Sequence, residues 1–152
     1  MTNSMKLKNI LSPSLVKMHL EGNTKEAIIR ELLEVLVANG KIADVETVFS
    51  GVMAREKEMS TGIQHGVAIP HVKTKAVKNL VACIGLKPEG VDFKALDGEM
   101  STIFIMTVSP IDRVGPHVQF LAEISKVIKT ADTRKRLLET KTQEEVLSVF
   151  GL

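Results

Sequence analysis

The chain has no Trp and no Tyr, five Phe, and a single Cys among 152 residues. So few aromatics argue against a nucleic-acid platform, which stacks bases on exposed rings. One cysteine, Cys83, cannot close an internal disulfide, so a reducing compartment is expected. It stands in the apolar run "NLVACIGL" and reads as a buried small hydrophobe, not as a nucleophile. Neither sign of charge dominates: the net charge is +2, too small to call for a polyanionic partner. Arg134, Lys135 and Arg136 form a basic triplet that reads as a solvated helix face. No apolar run is long enough to cross a bilayer. The N-terminal "MTNSMKLKNILSPSLVKM" lacks the continuous apolar core of a signal peptide. Together these absences predict a cytoplasmic protein with no nucleic-acid partner and no membrane insertion.

What is present is ordinary for a globular domain: 44% hydrophobic and 25% charged residues. The length predicts one domain over residues 1–152, large enough to bury a core without metal or disulfide help. Asn23 to Asn39 reads as a helix, with Asn23 as cap, Glu26 at capping-box spacing and Gly40 as terminator. Asp44 caps a second helix, whose Val45, Val48, Phe49, Val52 and Met53 recur at helical spacing. Arg55 then borders the buried stripe and can reach around the helix end. Extended segments follow at Val67 to Ile69, Leu80 to Leu86 and Thr102 to Val108. The last is a continuous apolar run suited to a central strand covered on both faces. Turns are expected at Pro88, Gly90 and Asp97-Gly98, and "SPIDRVGPH" reads as a loop. A helix is expected from about Pro116, at its first position, with Phe120, Leu121, Ile124, Val127 and Ile128 inward. Two short helices close the chain, Ala131 to Leu138 and one from the Thr142 cap with Glu145. Helices alternating with buried strands predict an α/β three-layer sandwich: a mixed β-sheet flanked by helices on both faces.

Four histidines carry most of the chemical potential: His19, His65, His71 and His117. His19 reads as the end of an edge strand, with no chemical role. His71 follows Pro70, which fixes its own φ and drives Ile69 to an extended conformation. The backbone under this imidazole therefore has little freedom. A histidine in a plain surface turn would fit that stretch as well. His117 lies three and four residues before Phe120 and Leu121, so it points along the apolar face of its helix. A satisfied, partly buried histidine is the competing account there. Its helix turn offers free N–H groups, which after Pro116 would have to come from later residues. Three histidines could in principle ligate a metal, but there is no HExxH, no paired cysteine and no acidic fourth ligand. No metal and no cofactor is expected. No G-x-S-x-G, P-loop or kinase signature is present. What remains is a phosphoryl carrier whose nucleophile is histidine itself.

The stretch "REKEMSTGIQHGVAIPH", Arg55 to His71, resembles the active-site signature of type-2 EIIA domains. These are the fructose/mannitol-class and nitrogen-regulatory phosphocarriers of the phosphoenolpyruvate:sugar phosphotransferase system. "GVDFKALDG" and "HVQFLAEISKVI" are similar to the family's inter-strand turn and second-histidine helix. The resemblance runs from about Lys6 to the C-terminus. It departs from the common pattern at His65, often another polar residue, and at Val72, often Gly. No catalytic role is expected of His65.

The resemblance implies that His71 is phosphorylated, that His117 orients the ring or hydrogen-bonds the phosphoryl group, and that Arg55 pairs with phosphate oxygens. It implies phospho-HPr as donor and a cysteine of an EIIB domain as acceptor, in sugar uptake through a membrane EIIC. The chain ends soon after its last helix, so EIIB is expected on a separate chain. The alternative it implies is a stand-alone nitrogen-regulatory EIIA, which would bind kinases or transporters according to its phosphorylation state. A neutral imidazole, with an ordinary pKa of about 6.5, suits a carrier because it offers a lone pair without a strong base. Guanidinium forks onto phosphate oxygens and stays charged. Ile63 and Val67 are candidates for a docking rim and equally for core.

Overall fold

The computed structural model describes residues 6–152. Two short 3-10 turns, Leu7–Asn9 and Pro13–Leu15, lead into the two-residue strand β1, Val16–Lys17. Helices α1, Lys25–Ala38, and α2, Val45–Glu58, come next. Strands β2, Val67–Ala68, β3, His71–Thr74, β4, Val81–Val91, and β5, Ser101–Pro110, complete the sheet. The chain closes with α3, Val114–Ile128, α4, Ala131–Leu138, and α5, Gln143–Val149.

The sheet order is β1-β4-β5-β2, with β3 also on β5. β4 and β5 are antiparallel, and the other pairs are parallel. β2 and β3 thus lie end to end along one edge of β5, broken only by Ile69 and Pro70. Proline has no N–H to give a ladder, which accounts for the break.

The period-2 alternation of strands divides the core in two. Phe104, Met106 and Val108 of β5 face α1 and α2 with Ile28, Leu32 and Val52. Ile103 and Ile105 face the opposite layer with Phe120, Ile124, Leu137 and Val146. The expected three-layer sandwich with helices on both faces is the observed fold. Cys83 is fully buried against α1, its Sγ donating to the Leu32 carbonyl at 3.3 Å. Burial pushes its thiol pKa far up, as expected for a packing residue.

Local departures from the expected pattern have physical reasons. Thr24, not Asn23, caps α1: its hydroxyl accepts from the Ala27 N–H at 3.1 Å. Either residue type can cap, and the apolar face of α1 selects the register. Gly40 ends the helix with φ +68°. Asp44 caps α2 as expected, accepting from the Thr47 N–H at 3.1 Å. The Pro88 and Gly90 segment is no turn: β4 runs through it with a bulge between Leu86 and Val91. Gly90 supplies the positive φ of 79°, and proline is tolerated at a bulge. "SPIDRVGPH" contributes Ser109 and Pro110 to β5, and α3 begins at Val114. The loop is only residues 111–113, and Pro116 stands third in the helix. Thr130 and Thr142 cap the last two helices. β1 is an edge strand, and His19 lies exposed just past it.

Candidate functional site

His71 opens β3 and pairs in register with Thr107 of β5. Its neighbour Val72 packs toward α2, its Cγ2 lying 2.8 Å from where a Cβ on Gly51 would be. Alternation then turns His71 to the α3 side of the sheet. There its ring meets His117 at 5.2 Å between centroids, with planes tilted by 40°. The two histidines, 46 positions apart in the chain, are neighbours.

The His71 ring has one fixed edge. Nδ1 lies 2.9 Å from the Ile69 carbonyl oxygen. A carbonyl only accepts, so Nδ1 carries the proton and donates. Nε2 is left with the lone pair. Ile69 itself is held because its N–H donates to the Thr61 carbonyl at 3.0 Å. Pro70 stiffens the residue between. The stiffness expected from "IPH" is thus resolved into one hydrogen bond that selects a tautomer.

His117 is 7% exposed. Its Nδ1 is 3.5 Å from the Thr107 hydroxyl, a long contact. Burial first, then the charges of His71 and Lys73, hold its pKa below the ordinary 6.5. Because α3 starts before Pro116, the free N–H groups of its first turn belong to Val114 and Gly115. The expectation that they come after Pro116 is corrected by that earlier start.

Arg55 comes from the last turn of α2, in the other helical layer. It reaches the sheet edge, where its guanidinium donates to the Met59 carbonyl at 2.8 Å. A pocket of about 220 Å³ is lined by Arg55, Met59, Thr61, Ile69, His71 and Leu121 among others. Arg55 and His71 share that pocket, whereas His117 stands behind His71. Ile63 is 44% exposed at the rim, while Val67 is 5% exposed and belongs to the core. His65 sits outside the pocket in a left-handed turn with φ 57°, its N–H donating to the Asp97 carboxylate at 3.0 Å.

Sequence reasoning did not single out Thr107, Lys73 or Glu56. Thr107 interrupts an apolar strand, and Glu56 falls four residues after Val52 on the buried stripe of α2. A polar residue on an apolar face is the signal that could have found both.

The fold and site define a class first: a three-layer α/β protein presenting one imidazole, its tautomer set, in a pocket at the sheet edge beside a cation. A family model described as "Phosphoenolpyruvate-dependent sugar phosphotransferase system, EIIA 2" matches residues 9–151. The chain is 34% identical to the fructose-like EIIA component of Escherichia coli K12, over 93% of this chain and 95% of that one. It is 31% identical to the fructose-specific EIIABC component of Bacillus subtilis, over 97% of this chain but only 23% of that longer protein. The crystal structure of the nitrogen regulatory protein IIA-Ntr from Neisseria meningitidis superposes with a TM-score of 0.88 at 27% identity, covering 95% of this chain and 98% of that one. The chain belongs to the type-2 EIIA family and is a phosphotransferase component. No helix of the described residues is long and apolar enough to cross a membrane.

Proposed function

We propose that His71 accepts a phosphoryl group from the phosphohistidine of HPr and passes it to a cysteine of an EIIB domain during sugar uptake. The observation that carries this is the Nδ1–H bond to the Ile69 carbonyl at 2.9 Å, which leaves Nε2 unprotonated. In the first step the Nε2 lone pair forms an N–P bond as the donor's N–P bond breaks, and the donor imidazole keeps that electron pair. Nδ1 retains its proton throughout. In the second step a cysteine thiolate forms an S–P bond, and Nε2 recovers its lone pair. Neither step oxidises or reduces anything, and neither calls for a metal.

Transfer of this kind depends on alignment and charge stabilisation. Arg55 supplies the cation within the pocket once its guanidinium leaves the Met59 carbonyl for phosphate oxygens. His117, 5.2 Å away between ring centroids, backs the His71 ring and orients it. The exposed apolar residues Ile63 and Leu96, 44% and 63% exposed, flank the pocket where a protein donor and acceptor would dock in turn. The reaction among soluble partners suits a cytoplasmic setting.

A second reading is favoured by the likeness to IIA-Ntr, at TM-score 0.88 over 98% of that chain. The same phosphorylation would then regulate bound kinases or transporters instead of feeding a permease. A cognate EIIB that discharges the phosphorylated chain supports transport; a partner captured by only one phosphorylation state supports regulation.

The test of the chemistry is incubation with phosphoenolpyruvate, enzyme I and HPr, then mapping of the modified residue. Acid-labile, base-stable phosphate on His71 is expected. His71→Ala abolishes it, and His117→Ala slows labelling without removing it. Equal labelling of wild type and His71→Ala would overturn the assignment.

A further inference from the structure

Glu56 is a carboxylate that the transfer scheme leaves unused, yet its side chain is only 2% exposed. Such a group is costly to bury unless its lone pairs are filled. Here they are: Lys25 Nζ pairs with it at 2.8 Å, and the Thr61 N–H donates to it at 3.1 Å. The Thr61 hydroxyl donates to its second oxygen. Lys25 also reaches the Ser60 hydroxyl at 3.4 Å, and that hydroxyl accepts from the Gly62 N–H at 3.0 Å. Residues 60–62 are therefore fastened to the end of α2 and the start of α1.

That fastening continues to the imidazole. Thr61, held by Glu56, accepts the Ile69 N–H at 3.0 Å through its carbonyl. Gly62 forms an isolated antiparallel bridge with Ala68. Ile69 then accepts the His71 Nδ1–H at 2.9 Å. We propose that Glu56 is a positioning residue for phosphoryl transfer: through Thr61 and Ile69 it holds the carbonyl that fixes the His71 tautomer. The proposal rests on the phosphocarrier role of His71. Glu56 touches neither the ring nor the pocket's reacting atoms; it acts through the clasp.

Glu56→Gln keeps the shape but turns one acceptor into an NH2 donor facing other donors. In the full chain, long-range 1H–15N NMR reads the His71 tautomer. Wild type shows the Nδ1–H form; Glu56→Gln shows a mixture. The kcat for accepting phosphate from phospho-HPr falls by about 10- to 100-fold, the scale of a small misplacement at a reacting centre. KM for phospho-HPr holds, the mark of an interaction lost in the transition state and not in docking. A purely structural Glu56 would lower the thermal midpoint and leave the tautomer and kcat of the folded protein as in wild type. That result overturns the proposal. If Glu56→Gln does not fold, Thr61→Val decides by the same two readouts and the same outcomes. If wild type itself takes no label on His71, the phosphocarrier reading fails, and the tautomer comparison alone decides whether Glu56 positions the ring.

Discussion

At the scale of the residue, one proton and one charge matter most. The Ile69 carbonyl assigns the proton of His71 to Nδ1, so the transfer proposed at Nε2 needs no base. Arg55 brings a forked cation into the same pocket. Arg55→Lys keeps the charge and loses the fork, so transfer to His71 should slow by about 10-fold, the loss of roughly 1.4 kcal/mol. Rapid-quench labelling with phospho-HPr measures it, and an unchanged rate removes Arg55 from the site. His117 predicts a pH effect. Its folded pKa lies below the ordinary 6.5, so on acidification the unfolded chain takes up its proton first. Its contribution to stability is full above about 6.5 and is lost as pH falls from there toward the lower folded value. Urea midpoints should decline through that window, and His117→Gln should flatten the decline. The neighbours responsible, after burial itself, are His71 and Lys73. A phosphoryl dianion on His71 should move the His117 titration upward in NMR.

At the scale of the element, caps and turns explain both what was legible and what was not. Asp44 announces α2 because its side chain serves a single local residue, accepting from the Thr47 N–H at 3.1 Å and from the Thr47 hydroxyl. Asn23 and Thr24 are both competent caps, and only the packing of Ile28, Ile29 and Leu32 chooses between registers one residue apart. The Pro88 and Gly90 bulge has turn chemistry in sequence but sits in a strand, because β4 resumes its pairing with β5 beyond it, at Val91 opposite Ser101. β3 escaped notice because "HVKT" has no long apolar run; its strand character comes from pairing with β5. Gly66 offers a test at this scale. Its φ is +78°, and an added Cβ would lie 2.9 Å from the Thr102 hydroxyl oxygen. Gly66→Ala should cost about 1–3 kcal/mol of stability from backbone strain. Circular dichroism during urea titration reads the cost. A change below about 0.5 kcal/mol, the size of an ordinary surface substitution, would show that the turn relaxes freely.

At the scale of the whole molecule, the sheet separates two cores and brings their edges together at the site. α2 delivers Arg55 from one layer, and α3 delivers His117 and Leu121 from the other. We propose that the 152 residues unfold as one unit, since β5 is packed on both faces by side chains of both cores. Helical signal and methyl NMR signals should be lost in one urea transition; two separated transitions would refute it. Phe104 and Phe120 are each fully buried, one in each core. Their replacement by Ala should cost about 3–5 kcal/mol apiece, and both should shift that same transition. A shift confined to part of the signal would indicate independent halves.

The helix faces, the central apolar strand, the three-layer class and the expectation placed on His71 were all readable from the chain alone. Those depend on local spacing and on a motif written within seventeen consecutive residues, Arg55 to His71. Only the tertiary structure decided which nitrogen of His71 is free, that His117 stands 5.2 Å from it, and that Glu56 is tied to the same clasp. The reason is physical: tautomer, proximity and burial are set by partners distant in the chain. Those partners come into reach only when β5 and its two helical layers are assembled.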